Sequence, residues 1–157
     1  MRKYLAYCSY IGTNYCGFQA QIKHDPKTKF PKPAVQDALE AVISKINKEK
    51  TFIHSSGRTD AGVNVYRMPF TFVLNRKNDK ELSDETIKKA INYHLDENKE
   101  DISIVELKQV PMELDAKKDV KQKEYVYRIE ANLGEIAGYI QQKKKLVWSI
   151  PTALDMD

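Results

Sequence analysis

Cysteine is scarce in this sequence, with Cys8 and Cys16 the only two. Two thiols with no ligand-like spacing around them build neither a disulfide framework nor a zinc site. They read as reduced packing or loop thiols. His24, His54 and His94 also lack ligand spacing, so no metal centre is expected, and they read as surface or packing histidines. No apolar run approaches the ~20 residues that a membrane span requires. The start Met1-Arg2-Lys3-Tyr4-Leu5 lacks the apolar core of a secretory signal. No internal repeat is evident. These absences point to an intracellular protein without membrane attachment, expected in the cytoplasm, or in the nucleus or an organelle of a eukaryote.

What is present suits a globular chain. The 157 residues are 41% hydrophobic and 31% charged, which fits one folded domain over 1–157 and excludes a disordered chain. The net charge of +4 says little, but its distribution says more. Lys117-Lys118, Lys121, Lys123 and Lys143-Lys144-Lys145 crowd the last third. They form either a phosphate-facing surface or a solvated lysine face.

Along the chain, residues 3–11 alternate with both faces fairly apolar, as in a central strand. Residues 22–32 read as an exposed loop rich in proline and lysine. A helix is predicted from Pro33, with Ala34, Val35, Ala38, Leu39, Val42, Ile43 and Ile46 on one face. Strands follow at about 51–55 and 64–74, the second carrying Phe70, Phe72 and Leu74 on one side. After a charged turn at 75–81, Ser83 reads as the N-cap of a second helix whose buried stripe is Ile87, Ala90, Ile91 and Leu95. Asp84 and Glu85 sit in its first turn, where the dipole favours them. Leu82 and Ile87 are spaced as a hydrophobic staple. A fourth strand is predicted at 102–107. The order is β-α-β-β-α-β, an α+β class of ferredoxin-like pattern. Additional antiparallel strands are predicted at about 122–131 and 145–150.

Between the second and third strands lies Ser56-Gly57-Arg58-Thr59-Asp60-Ala61-Gly62-Val63. Its Arg and Asp are two residues apart and framed by glycines, as in a tight loop. Two readings stay open. A carboxylate beside a guanidinium presents an ionised nucleophile, the guanidinium favouring its charged form. Alternatively the pair only closes the turn, an exposed bridge that contributes ~0–1 kcal/mol.

The run Gly57 to Val63 resembles the active-site signature of the TruA-type tRNA pseudouridine synthases. Gly12-Thr13-Asn14-Tyr15-Cys16-Gly17-Phe18-Gln19 is similar to that family's early loop. Val35-Gln36-Asp37-Ala38-Leu39-Glu40 is similar to its first helix, and Lys123-Glu124-Tyr125-Val126-Tyr127-Arg128-Ile129 to its second motif. The matches occur in the family's order. Asn64 stands where the family usually has His, and Lys117 where it has Arg; a lysine keeps the charge but loses bidentate geometry. Residues 22–32 look like an insertion. Trp148 to Asp155 resembles the passage into the family's second half, so the chain resembles an N-terminal half without the wall that completes the cleft.

The resemblance implies an isomerase that converts uridine to pseudouridine in the anticodon stem-loop region of tRNA. The glycosidic bond breaks and the ring rejoins through C5, so no cofactor or metal is implied. Asp60 is the expected catalytic carboxylate, attacking C1′ or stabilising charge while a glycal forms. Arg58 is expected to orient Asp60 or to contact the substrate as the base leaves the stack. Tyr125 is assigned to the uracil, against the alternative of a core tyrosine. Lys117, Lys121 and Lys123 are candidates for holding tRNA phosphates, contacts that position without specifying a base. A non-catalytic RNA-binding module of the same fold is the competing reading, since Phe70-Thr71-Phe72-Val73 faintly resembles an RRM aromatic strand. Tyr66-Arg67-Met68-Pro69, however, lacks that motif's small and glycine positions. A third reading is an inactive half that binds RNA or forms a homodimer through its exposed sheet edge.

Overall fold

A computed structural model describes residues 1–20, 32–75, 82–131 and 148–150 of the chain. The 22–32 loop (Lys32 apart), the 75–81 turn (Asn75 apart), His24 and Lys143 to Lys145 lie outside the described residues. Contacts divide the chain into two compact units, Met1–Val120 and Lys121–Asp157.

In the first unit the elements run β1 (Arg2–Tyr10), α1 (Val35–Asn47), β2 (His54–Ser55), β3 (Val65–Leu74), α2 (Asp84–Glu97) and β4 (Ile102–Val110). One four-stranded sheet has the order β2-β3-β1-β4, with antiparallel neighbours throughout. The α+β class is as expected, and β1 is indeed central. β2 is shorter than the predicted 51–55, and β4 extends to Val110 beyond the predicted 107.

Strand periodicity sets what the sheet buries. Tyr4, Ala6, Cys8 and Tyr10 of β1 pack with Met68, Phe70, Phe72 and Leu74 of β3, and with Ile102, Ile104 and Leu107 of β4. Alternate residues of a strand share a face, so these sets converge on one side. The helices cover that side with stripes at helical spacing. They are Val35, Ala38, Leu39, Val42 and Ile43 from α1, and Ile87, Ile91 and Leu95 from α2. The Tyr4 and Phe72 rings stack with centroids 5.6 Å apart. Burial raises the Cys8 thiol to about 12, which fits a packing thiol.

The helix ends follow from local chemistry. Ser83 caps α2, its hydroxyl accepting from the Thr86 amide at 3.2 Å. Replacing an N-cap serine by alanine removes a partner from an otherwise orphaned N–H. Ser83→Ala is therefore expected to lower unfolding free energy by about 1 kcal/mol, read from the urea midpoint. α1 begins at Val35, not Pro33, because Ala34 is still extended at ψ 152°. Alanine offers no side-chain cap. Instead the Val35 and Gln36 amides donate to the carbonyls of Gly17 and Phe18, at 3.1 and 2.9 Å. The early loop is thus the cap of α1.

The second unit contains β5 (Ile129–Ala131) paired with β6 (Trp148–Ile150). Two expectations are corrected here. The pair is parallel, not antiparallel, and the residues between them are long enough for the crossover that a parallel pair needs. The strand predicted over 122–131 is confined to Ile129–Ala131. Residues 121–128 are exposed throughout and have no ladder partner among the described residues. Alternation alone does not hold a strand when neither face is buried.

Candidate active site

The signature loop joins β2 to β3 and is pinned at both ends. The Ser56 amide donates to the Pro69 carbonyl at 3.0 Å, and the Ser55 hydroxyl to the Gly57 carbonyl at 2.7 Å. Its centre is held from behind by residues far away in sequence. The Phe18 amide donates to the Thr59 carbonyl at 3.1 Å, and the Thr59 hydroxyl lies 2.8 Å from the Tyr10 phenol. Asn64 Oδ1 accepts from the Gly12 amide at 2.8 Å, and the Val65 carbonyl accepts from Ser9 Oγ at 3.2 Å. Burial raises the Tyr10 phenol to about 12, so this contact stays between neutral hydroxyls at ordinary pH.

Glycine is required where the two loops meet. A Cβ on Gly12 would lie 2.1 Å from the Val63 carbonyl oxygen, and one on Gly17 would lie 2.6 Å from that of Thr59. Gly17 is also at φ 117°. The backing loop is itself anchored to the start of β4. The Tyr15 phenol donates to Glu100 at 2.6 Å and accepts from the Asp101 amide at 2.9 Å. The Ile11 amide donates to the Asp101 carbonyl at 3.1 Å.

On this support the chain makes its turn. The Val63 amide donates to the Asp60 carbonyl at 3.3 Å, and Gly62 takes φ 80°, the conformation that favours glycine at the third position of a type II turn. The Asp60 side chain is exposed. Among the described residues its carboxylate has no hydrogen bond, and no ion pair joins it to Arg58. The expected Arg–Asp pairing is therefore not formed, either as a charge-orienting contact or as a turn bridge. Thr59, fixed through both its carbonyl and its hydroxyl, separates the two side chains.

Arg58 lines a cavity of about 470 Å³. Gly57 and Arg58 line it from the signature loop, and Asp115 and Lys117 from the segment after β4. His54, Ser55 and Thr71 contribute from β2 and β3, and Lys3 from β1. Asp60 does not line it. Asp115 organises its wall as a turn, accepting from the Lys117 amide at 2.8 Å and the Lys118 amide at 3.3 Å. Those bonds, the Lys117 amide first, hold its carboxyl below the usual range.

The chain is similar to tRNA pseudouridine synthase A from several bacteria. It is 37% identical to that of Borrelia turicatae over 132 residues, 84% of this chain and 48% of the relative. It is 31% identical to that of Neorickettsia sennetsu over 155 residues, 99% of this chain and 57% of the relative. Identity to that of Borrelia duttonii is 34% over 161 residues, 99% of this chain and 60% of the relative. The chain aligns as the N-terminal half of the TruA-type tRNA pseudouridine synthase family. It spans about half the length of the curated relatives it matches. No protein-family model matches it.

Set against the family's motifs, the two glycine-bearing loops are one assembly: the early-loop motif backs the signature motif. At Asn64, where the family usually has His, the side chain accepts from the Gly12 amide and so joins that assembly. Lys117 stands exposed on the cavity wall. Tyr125, Lys121 and Lys123 belong to the second unit. Tyr125 is 71% exposed and lies outside β5, so its expected position on a strand face is corrected. The core alternative for this tyrosine is not met either.

Sequence reasoning missed the cavity. His54, expected as a surface or packing residue, is exposed and lines it, and Thr71, which entered only through the RRM-like run Phe70-Thr71-Phe72-Val73, lines it too. The backing role of Tyr10, Gly12 and Gly17 was also missed. The two glycines flanking the early loop carried a signal of close backbone approach.

Proposed function

We propose that this chain is the catalytic-loop half of a tRNA pseudouridine synthase that isomerises uridine in the anticodon stem-loop region. The observation that carries the reading is Asp60, whose exposed, uncommitted carboxylate rides on a glycine turn buttressed by the early loop. Similarity to tRNA pseudouridine synthase A over nearly the whole chain supports it.

Within this reading 1–157 acts as one catalytic-loop domain, and the sheet order β4-β1-β3-β2 with helices on one face supports a ferredoxin-like frame. Asp60 attacks C1′ of the extruded uridine, or stabilises the charge that develops as the base departs. A carboxylate without an internal partner is available for either role. Arg58 contacts the substrate rather than Asp60, in keeping with its cavity-lining position. Tyr125 stacks on the uracil or assists its proton movement, and Lys117, Lys121 and Lys123 hold phosphates. The reaction needs no cofactor. The protein works in the cytoplasm, and a homodimer is part of the reading because β4 leaves its outer edge unpaired among the described residues. No described helix is long and apolar enough to cross a membrane.

Turnover on tRNA tests the reading, using this polypeptide and a version extended by the second half of a relative. Pseudouridine in the extended form is the expected result. RNA binding without product in either form would favour the RNA-binding module.

A further inference from the structure

We propose that the cavity beside the signature loop is a subsite for one ribonucleotide of the RNA strand, adjacent to the uridine at Asp60. The proposal rests on the RNA-isomerase reading above and adds a second contact point on the substrate.

Its size comes first. About 470 Å³ falls within the 300–1,000 Å³ range of sites for small organic ligands, well beyond what a bare ion needs. The charges lining it are Lys3, Arg58 and Lys117 against Asp115. Lys3 donates to the Met112 carbonyl and Asp115 accepts two backbone amides. Arg58 and Lys117 have no side-chain partner among the described residues. Both line the cavity as uncommitted cations, which suits a phosphate rather than a neutral ligand.

The decisive residue is Thr71. It is 1% exposed and lines the cavity, and its hydroxyl has no hydrogen-bond partner among the described residues. Buried polar groups are nearly always satisfied, and valine would fill the same space in a strand without that need. A group bound in the cavity is the partner this proposal assigns to the hydroxyl. Gln19 and His54 add an uncommitted amide and imidazole, donors and acceptors of the kind that read a base edge. Gln36 is not available, being tied to the Ala20 amide and to Glu40.

The loop geometry links the cavity to an RNA strand rather than to a free nucleotide. Arg58 and Asp60 are two residues apart, at most ~7 Å of chain, with Thr59 fixed between them. A strand that brings one nucleotide to Asp60 carries its neighbour past Arg58.

The test uses the 157-residue chain, a short uridine-containing RNA stem-loop and, separately, UMP. Thr71→Val is expected to weaken stem-loop binding roughly tenfold, about 1.4 kcal/mol, with an unchanged or higher thermal midpoint. Lys117→Ala is expected to weaken it and to reduce the salt slope by about one. Unchanged stem-loop affinity in both variants, with the parent chain binding normally, overturns the subsite and leaves the RNA reading intact. A lowered midpoint for Thr71→Val together with an unchanged Lys117→Ala also overturns it, since the hydroxyl would then be structural. UMP bound as tightly as the stem-loop overturns the assignment to a strand. No binding of the stem-loop by the parent chain at low salt removes the RNA reading, and the subsite with it.

Discussion

Asp60→Asn, placed in an enzyme extended by its second half, is expected to abolish pseudouridine formation while leaving the fold in place. The carboxylate has no hydrogen bond or ion pair among the described residues, so the isosteric amide breaks no internal contact. The turn depends on the Asp60 carbonyl and on Gly62, and both survive the change. Stability should stay within about 0.5 kcal/mol, as for surface substitutions away from special features. Activity is a different matter. An amide is not a competent nucleophile toward C1′ and does not carry the charge that would stabilise an oxocarbenium-like centre. A loss of about 10³-fold or more is expected, on the scale of removing a nucleophile or a principal electrostatic group. The measurement is pseudouridine content of digested tRNA, beside a urea melt of the variant. Turnover retained within tenfold would remove Asp60 from the chemistry under either mechanism.

Gly12→Ala is expected to be more damaging to the fold than a one-methyl change in a loop would imply. The added methyl would sit 2.1 Å from the Val63 carbonyl oxygen and 2.7 Å from its carbonyl carbon. Both are backbone atoms, so no rotamer change relieves the clash. Either Val63 retreats and the turn 60–63 shifts with it, or Gly12 retreats and its amide loses Asn64. Overpacking of this kind costs about 1–3 kcal/mol, which for a domain of this size lowers the thermal midpoint by about 2–12 °C. In the extended enzyme a displacement of about 1 Å at the carboxylate costs ~10²-fold in rate. Urea melts and turnover of the same variant read the two effects separately. An unperturbed melt with full activity would show that the early loop does not support the signature loop.

The contrast between these two residues explains what could be read from the chain alone. Periodicity disclosed the stripe Ile87, Ile91 and Leu95 and the strand face of Phe70, Phe72 and Leu74, because each is set by local geometry. Ser83 was legible as a cap for the same reason. Arg58 and Asp60 looked like a pair on spacing, yet no contact joins them, and Thr59 between them is held by Tyr10, 49 residues earlier, and by Phe18. The cavity draws on positions from Lys3 to Lys117, and no sequence window holds them together. β2 was predicted too long because only two of its residues find partners. The parallel sense of β5 and β6 depends on the path of the chain between them, which alternation does not encode.

The carbonyls of Gly17 and Phe18 that receive the first amides of α1 have a consequence for how the site opens. Helix start, early loop and signature loop share hydrogen bonds in series, so none can fray alone without exposing unsatisfied backbone in the next. They form one cooperative opening unit rather than three mobile loops. A reaction that swings a base out of its stack must be met by a carboxylate that does not swing with it. In the proposed reaction the resistance to that motion is drawn from the first turn of a helix whose apolar face is buried.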